Sequence, residues 1–273
     1  MASSTVATDN WDPKTYSTTV APFVPKLTTR VISLLAIQPD DIVLDLGCGD
    51  GVLTHQLSKQ CTHITGIDSS PSMISGCPSS ANTVYICSPA LSLPAELPHA
   101  QYTKLFSNAA LHWILRCPAA SRSQFFKTAY SLLRPGGAFV AECGGFGNVA
   151  DVHVAVIAAL VHRGIPPQTA RESSPWWFGS VGEYRSLLEE AGFEVEVLET
   201  ELRQTELTVG EGGGVGGWVR LFAAEMLKVL PQGEREGAVR EVEEVLEGVG
   251  RRGDGGLWVN YIRLRFVARK PVA

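Results

Sequence analysis

Between about residues 30 and 145 the chain alternates short β-branched runs with stretches whose apolar residues recur three and four positions apart. Ile42 to Asp45, Ile64 to Asp68, Val84 to Cys87, Leu105 to Ser107 and Ala138 to Glu142 read as strands. Val31 to Ile37, Val52 to Gln60 and Phe125 to Leu133 read as the helices between them, the last stopped by Arg134-Pro135-Gly136-Gly137. Such alternation is the signature of successive βαβ units and a parallel sheet.

Past Gly144-Gly145-Phe146-Gly147 the pattern changes. Val152 to His162 and Val181 to Ala191 have helical spacing, and Phe193 to Glu199 alternates as a strand. Gly210 to Gly217 reads as a flexible loop, because so many glycines are costly to order. Trp218 to Leu230 and Glu234 to Leu246 are helical again, Gly253 to Gly256 is a turn, and Leu257 to Ala268 is a long final strand. The pattern therefore predicts an α/β fold: a Rossmann-like, doubly wound, mostly parallel seven-stranded sheet with helical cap insertions over about 148–180 and 202–252. Within one structural domain, residues 31–147 are expected to form a Rossmann-like cofactor-binding core. Residues 148–273 supply the cap helices and the last strands. The Glu/Arg-rich run from Glu234 to Glu247 reads as a solvated helix face.

Composition narrows the classes. With 23 Lys and Arg against 28 Asp and Glu, the chain of 273 residues carries a net charge of −5 and lacks the basic excess that binding a nucleic-acid backbone needs. Its longest apolar run, Val154 to Val161, is far short of the roughly 20 residues that cross a bilayer, so no membrane span is expected. Met1 to Asn10 is polar and unlike a signal peptide, which predicts a cytoplasmic protein. Cys48, Cys61, Cys77, Cys87, Cys117 and Cys143 form no Cys-x-x-Cys pair, so neither a disulfide framework nor a metal site is predicted. His55, His63, His99, His153 and His162 are unpaired along the chain and read as structural or exposed. Nothing in the sequence speaks to oligomeric state.

The chemistry concentrates in Val43-Leu44-Asp45-Leu46-Gly47-Cys48-Gly49-Asp50-Gly51-Val52, an apolar strand ending in an acid, a glycine turn and a helix start. Glycines there permit positive φ and close approach of a ligand to the backbone. A dinucleotide fingerprint would require glycine three positions after Gly49, where Val52 stands, which disfavours a nicotinamide dehydrogenase. Asp68 ends the next strand, where an acid commonly meets ribose hydroxyls. Ser69-Ser70-Pro71-Ser72-Met73 then opens a helix, with Ser70 as its cap.

Gly47, Gly49 and Gly51 after Asp45 resemble the first motif of class I S-adenosylmethionine-dependent methyltransferases. Phe106-Ser107-Asn108-Ala109-Ala110-Leu111-His112-Trp113-Ile114 is similar to the fourth strand and turn of small-molecule members. Trp11-Asp12-Pro13-Lys14, Tyr16, Ile67 to Met73 and Leu264 to Arg269 resemble the trans-aconitate methyltransferase branch, over most of the chain. The resemblance implies S-adenosyl-L-methionine as cofactor, held by Asp45, Gly47, Cys48, Gly49, Gly51, Asp68, Ser69, Met73, Ser88, Pro89, Ala90, Asn108 and Ala109, and an N-terminal lid segment over residues 1–30 from which Trp11 and Tyr16 fold over it. Relatives usually carry an acid for the adenine amino group where this chain has Pro89, a departure that predicts weaker adenine recognition.

The same resemblance implies O-methylation of a carboxylate on a small organic acid. Natural-product O- or N-methylation of a hydroxyl, phenol or amine is the alternative, and cofactor binding without catalysis a further one. His112 is the candidate catalytic residue, needed as a base only if the acceptor carries a proton. Trp113, Trp176 and Trp177 are candidate substrate walls, and Arg220 and Arg263 candidate anion clamps.

Overall fold

In a computed structural model, residues 28–92, 97, 99–208 and 212–272 are described. Seven strands form one sheet: β1 (Ile42–Leu46), β2 (His63–Asp68), β3 (Thr83–Cys87), β4 (Tyr102–Asn108), β5 (Leu133–Gly144), β6 (Glu194–Glu206) and β7 (Trp258–Arg269). Their order is β3-β2-β1-β4-β5-β7-β6. The first five are parallel, and β7 lies antiparallel between β5 and β6. Order in the sheet reverses at β1, where an open α/β fold places its ligand crevice.

The helices are α1 (Thr29–Leu35), α2 (Val52–Ser58), α3 (Pro71–Ser75), α4 (Leu111–Ile114), α5 (Ala119–Leu132), α6 (Ala150–His162), α7 (Pro167–Glu172), α8 (Val181–Glu190), α9 (Gly214–Phe222), α10 (Ala224–Leu227) and α11 (Gln232–Gly250). Central strands are apolar on both faces because both are covered. Val43, Phe106 and Val140 pack with Val31 and Leu35 of α1 and Leu57 of α2. Leu44, Leu105 and Phe139, one residue along, face the other way and pack with Phe125 and Phe126 of α5 and Tyr184 and Leu188 of α8. A third apolar cluster joins α6, α7, α9, α10 and α11 into a cap over the carboxyl ends of the strands. No helix among the described residues is long and apolar enough to cross a membrane.

Three sequence expectations need correction. Arg134-Pro135-Gly136-Gly137 does not separate helix from strand. β5 starts at Leu133, and the register jumps from Tyr102 opposite Leu133 to Lys104 opposite Ala138, so the turn is absorbed as a bulge. β6 does not stop near Glu199 but runs to Glu206, because its whole length pairs with β7. The glycine tract is only partly a loop: α9 begins at Gly214, where packing on α11 outweighs the poor helical propensity of glycine.

Candidate active site

A cavity of about 320 Å³ opens at the carboxyl ends of β1, β2, β4 and β5 and continues beneath the cap. The Gly47–Gly51 loop forms its floor at one end. Gly47, Gly49 and Gly51 all have positive φ. A Cβ at Gly47 would lie 2.2 Å from that of Ala110, so glycine there lets the loop touch the turn after β4. At Gly49 the opposite holds: an added Cβ would meet no heavy atom within 4 Å and would project into open space.

Asp68 organises this loop from the end of β2. One carboxylate oxygen accepts the Gly49 N–H at 3.0 Å, the other the Ser70 N–H at 2.9 Å. Asp45 lies behind the loop, buried, and accepts the Thr54 hydroxyl at 2.7 Å. Burial pushes its carboxyl up to about 7, the neighbouring Asp68 adding to the rise and Thr54 opposing it. Ser69, Met73, Ala90, Asn108 and Ala109 line the same end, with Cys48. Ala109 takes positive φ to make the turn, its N–H donating to the Glu142 carbonyl at 2.7 Å. An open space bounded by a glycine loop and an acid at the end of β2 fits a nucleoside-bearing cofactor.

The other end is built from side chains. Glu142, buried at the end of β5, is gripped by Arg203 of β6 through both terminal nitrogens at 3.1 and 3.2 Å. Arg263 and Arg265 of β7 each donate to it through Nε, at 3.1 and 2.5 Å. Burial alone would raise the Glu142 carboxyl, but Arg263, Arg203 and Arg265 outweigh it and hold the group below the usual range. His112, buried on α4, accepts the Gly144 N–H on Nδ1 at 3.2 Å. That bond assigns the proton of the neutral ring to Nε2. Burial, reinforced by the Arg263 charge, holds the ring well below the ordinary imidazole range, so it stays neutral.

Trp113, Trp176 and Arg263 line the cavity together with His112. Several other candidate residues do not. Arg220 points outward, 43% exposed and paired with Glu236, so it is no anion clamp. Trp177 packs instead on Tyr184 beneath the Arg122 guanidinium, and its N–H donates to the His112 carbonyl at 2.8 Å. Gly51 caps α2 behind the cavity, where a Cβ would strike Cys77 and Tyr85 at 2.8 Å. Ser88 and Pro89 also lie outside the lining, Ser88 tied through its N–H to the Asp68 carbonyl at 2.9 Å and Pro89 exposed. Trp11 and Tyr16 fall outside the described residues. Sequence reasoning missed Glu142, Asn148, Phe178, Arg203, Trp218, Phe222 and Tyr261, which all line the cavity.

Comparison with known proteins agrees with this geometry. A family model for a methyltransferase domain matches residues 44–141. The uncharacterized methyltransferase C70.08c of Schizosaccharomyces pombe is 40% identical over 264 residues, covering 96% of this chain and 98% of its own. The 18S rRNA (guanine(1575)-N(7))-methyltransferase of Saccharomyces cerevisiae is 30% identical over 135 residues, 47% of this chain and 49% of its own. A trans-aconitate 2-methyltransferase of Escherichia coli O157:H7 is 29% identical over 200 residues, 70% of this chain and 71% of its own.

Proposed function

The chain belongs to the class I S-adenosylmethionine-dependent methyltransferases, and on that premise we propose that it methylates a carboxylate oxygen of a small organic acid. The cofactor supplies a methyl carbon on a positively charged sulfur, to which the C–S bonding pair returns as the acceptor oxygen forms its bond to carbon. Gly47, Gly49, Asp68 and Asn108 would hold it at the loop end of the cavity.

The observation that carries the carboxylate reading is the state of His112. Its Nδ1 lone pair is taken by the Gly144 N–H, so the ring offers the acceptor a donor rather than a base. The acids nearby are committed as well, Glu142 to three arginines and Asp45 to Thr54. Burial pushes the Tyr261 hydroxyl up to about 12, where it keeps its proton. Such a site suits an acceptor that has already lost its proton, and a carboxyl of pKa about 4 is ionised at neutral pH. The donors of His112 and Arg263 would orient it, and the aromatic cap would exclude water.

A phenol, hydroxyl or amine would need a proton removed, and at the His112 end of the cavity no free base stands among the described residues. The net charge of −5 supports a small acceptor over an RNA, although one relative is named for rRNA. Six free cysteines fit a reducing compartment, and the proposal places the enzyme in the cytoplasm.

The test offers labelled cofactor with a panel of small acids, phenols and amines, and identifies the product by its lability to mild base. A base-labile methyl ester is expected. His112→Gln, which keeps a donor, should retain turnover within about tenfold and without a titration between pH 6 and 9. A loss of about 10²-fold together with a vanished pH step would overturn the reading in favour of base catalysis.

A further inference from the structure

We infer that the acceptor carries a single carboxylate on a flat, apolar body: an aryl or polyunsaturated monocarboxylic acid rather than a polycarboxylate. The inference rests on the carboxylate reading above and adds what the rest of the molecule must be.

Cations set the number of carboxylates. Three arginines gather around Glu142, and two of them are used within the protein. Arg203 gives both terminal nitrogens to Glu142, one of them shared with Glu201. Arg265 bonds Glu142 through Nε and Glu201 through Nη2, while its Nη1 lies 3.6 Å from Glu199. Arg263 differs. Its Nε alone is engaged, with Glu142, and its two terminal nitrogens have no acceptor among the described residues. This side chain is only 8% exposed, and it lines the cavity. Arg220 is committed to Glu236 outside the cavity and does not add a second site.

Two neutral donors line the cavity with that guanidinium. Asn148 accepts the Ile262 N–H on its Oδ1 at 3.0 Å, which fixes the amide and leaves Nδ2 without an acceptor among the described residues. The Nε2–H of His112 is likewise without one. One bidentate cation flanked by neutral N–H donors matches one carboxylate.

The remaining walls are rings. Trp176 stacks on Phe178 at 5.7 Å and 16°, and the edge of Trp113 meets Trp176 at 5.6 Å. Trp218 adjoins both Trp176 at 5.9 Å and Phe222 at 5.0 Å. A second carboxylate pressed against these faces would lose its water with no cation to replace it. A planar apolar body would instead bury its faces on rigid rings that have little rotamer freedom to lose.

The experiment titrates a 3-arylpropenoic acid, its primary amide and propane-1,2,3-tricarboxylate into protein saturated with the demethylated cofactor, following tryptophan fluorescence. The aryl acid should bind at least about tenfold more tightly than either of the others, and Arg263→Gln should abolish the preference for acid over amide. If that variant fails to fold, the acid and amide on the unaltered protein carry the test. Equal or tighter binding of the tricarboxylate, with methyl ester still formed from it, overturns this inference and spares the carboxylate reading. Methylation of a phenol or amine with no ester from any acid overturns the reading beneath it.

Discussion

Two buried acids stand at the carboxyl ends of strands in the same sheet and are shifted in opposite directions. Asp45 of β1, beside a neutral hydroxyl and another acid, is pushed up to about 7. Glu142 of β5, among three arginines, is held low. The glycine-loop end of the cavity is therefore short of positive charge, and the far end has a guanidinium edge left over. A positively charged donor of the methyl group and a negatively charged recipient would each meet the end that lacks its sign. With the proposed carboxylate acceptor, the two charges lost in the transfer would match the protein's own imbalance.

The contrast can be broken most forcefully at Glu142. Glu142→Gln leaves buried arginines without their counter-ion and should cost about 3–5 kcal/mol of stability, read by denaturant unfolding at pH 7. An unaltered midpoint would mean that the arginines need no anion there.

Asp45 should behave in the reverse sense. With its carboxyl raised to about 7, the folded protein keeps a proton that the unfolded chain releases near pH 4, so stability falls as pH rises through that window. Asp45→Asn should match the parent near pH 4 and exceed it above pH 7, by up to about 4 kcal/mol for the ligand-free protein. Equal stability at pH 8 would show that the carboxyl is not raised.

Gly49→Ala sharpens the same comparison from the loop side. An added methyl meets no protein atom within 4 Å, so folding should lose only the roughly 1–2 kcal/mol of a left-handed non-glycine residue. Cofactor affinity measured by calorimetry should fall by about tenfold or more, because the cofactor as proposed would fill that space. Undiminished affinity would move the binding site elsewhere. The smallest effect is expected at Pro89, exposed and off the cavity wall. Pro89→Asp should alter affinity by about twofold at most, whereas a tenfold gain would restore the adenine-recognition role that the sequence suggests for an acid there.

The two halves also differ in how far the sequence discloses them. Gly47, Gly49 and Gly51 stand within one strand–turn–helix, and Asp68 closes the next strand, so local spacing reveals them together. Arg203 lies past Glu199, where the alternation read from sequence ends, and pairing with β7 extends β6 that far. Glu142 is visible as the last residue of a strand, yet nothing nearby in sequence shows its three partners. One signal was present: the alternating acids Glu199 and Glu201 match the alternating Arg263 and Arg265, as facing positions of an antiparallel pair should. Arg220 turns outward to Glu236 and Arg263 turns into the cavity, a difference of direction that an arginine's place in the sequence does not carry.

The place of β7 has a consequence for the order in which the protein is made. It follows the other six strands along the chain, yet it lies between β5 and β6. Everything up to Gly144 leaves the ribosome early and contains the glycine loop and five parallel strands, a unit able to begin ordering by itself. Until Trp258–Arg269 emerges, β6 has no partner and the far edge of β5 stays open to foreign strands. Arg263 therefore arrives on the strand that also seals that edge, and a nascent chain completes this end of the cavity only as β5 loses its open side.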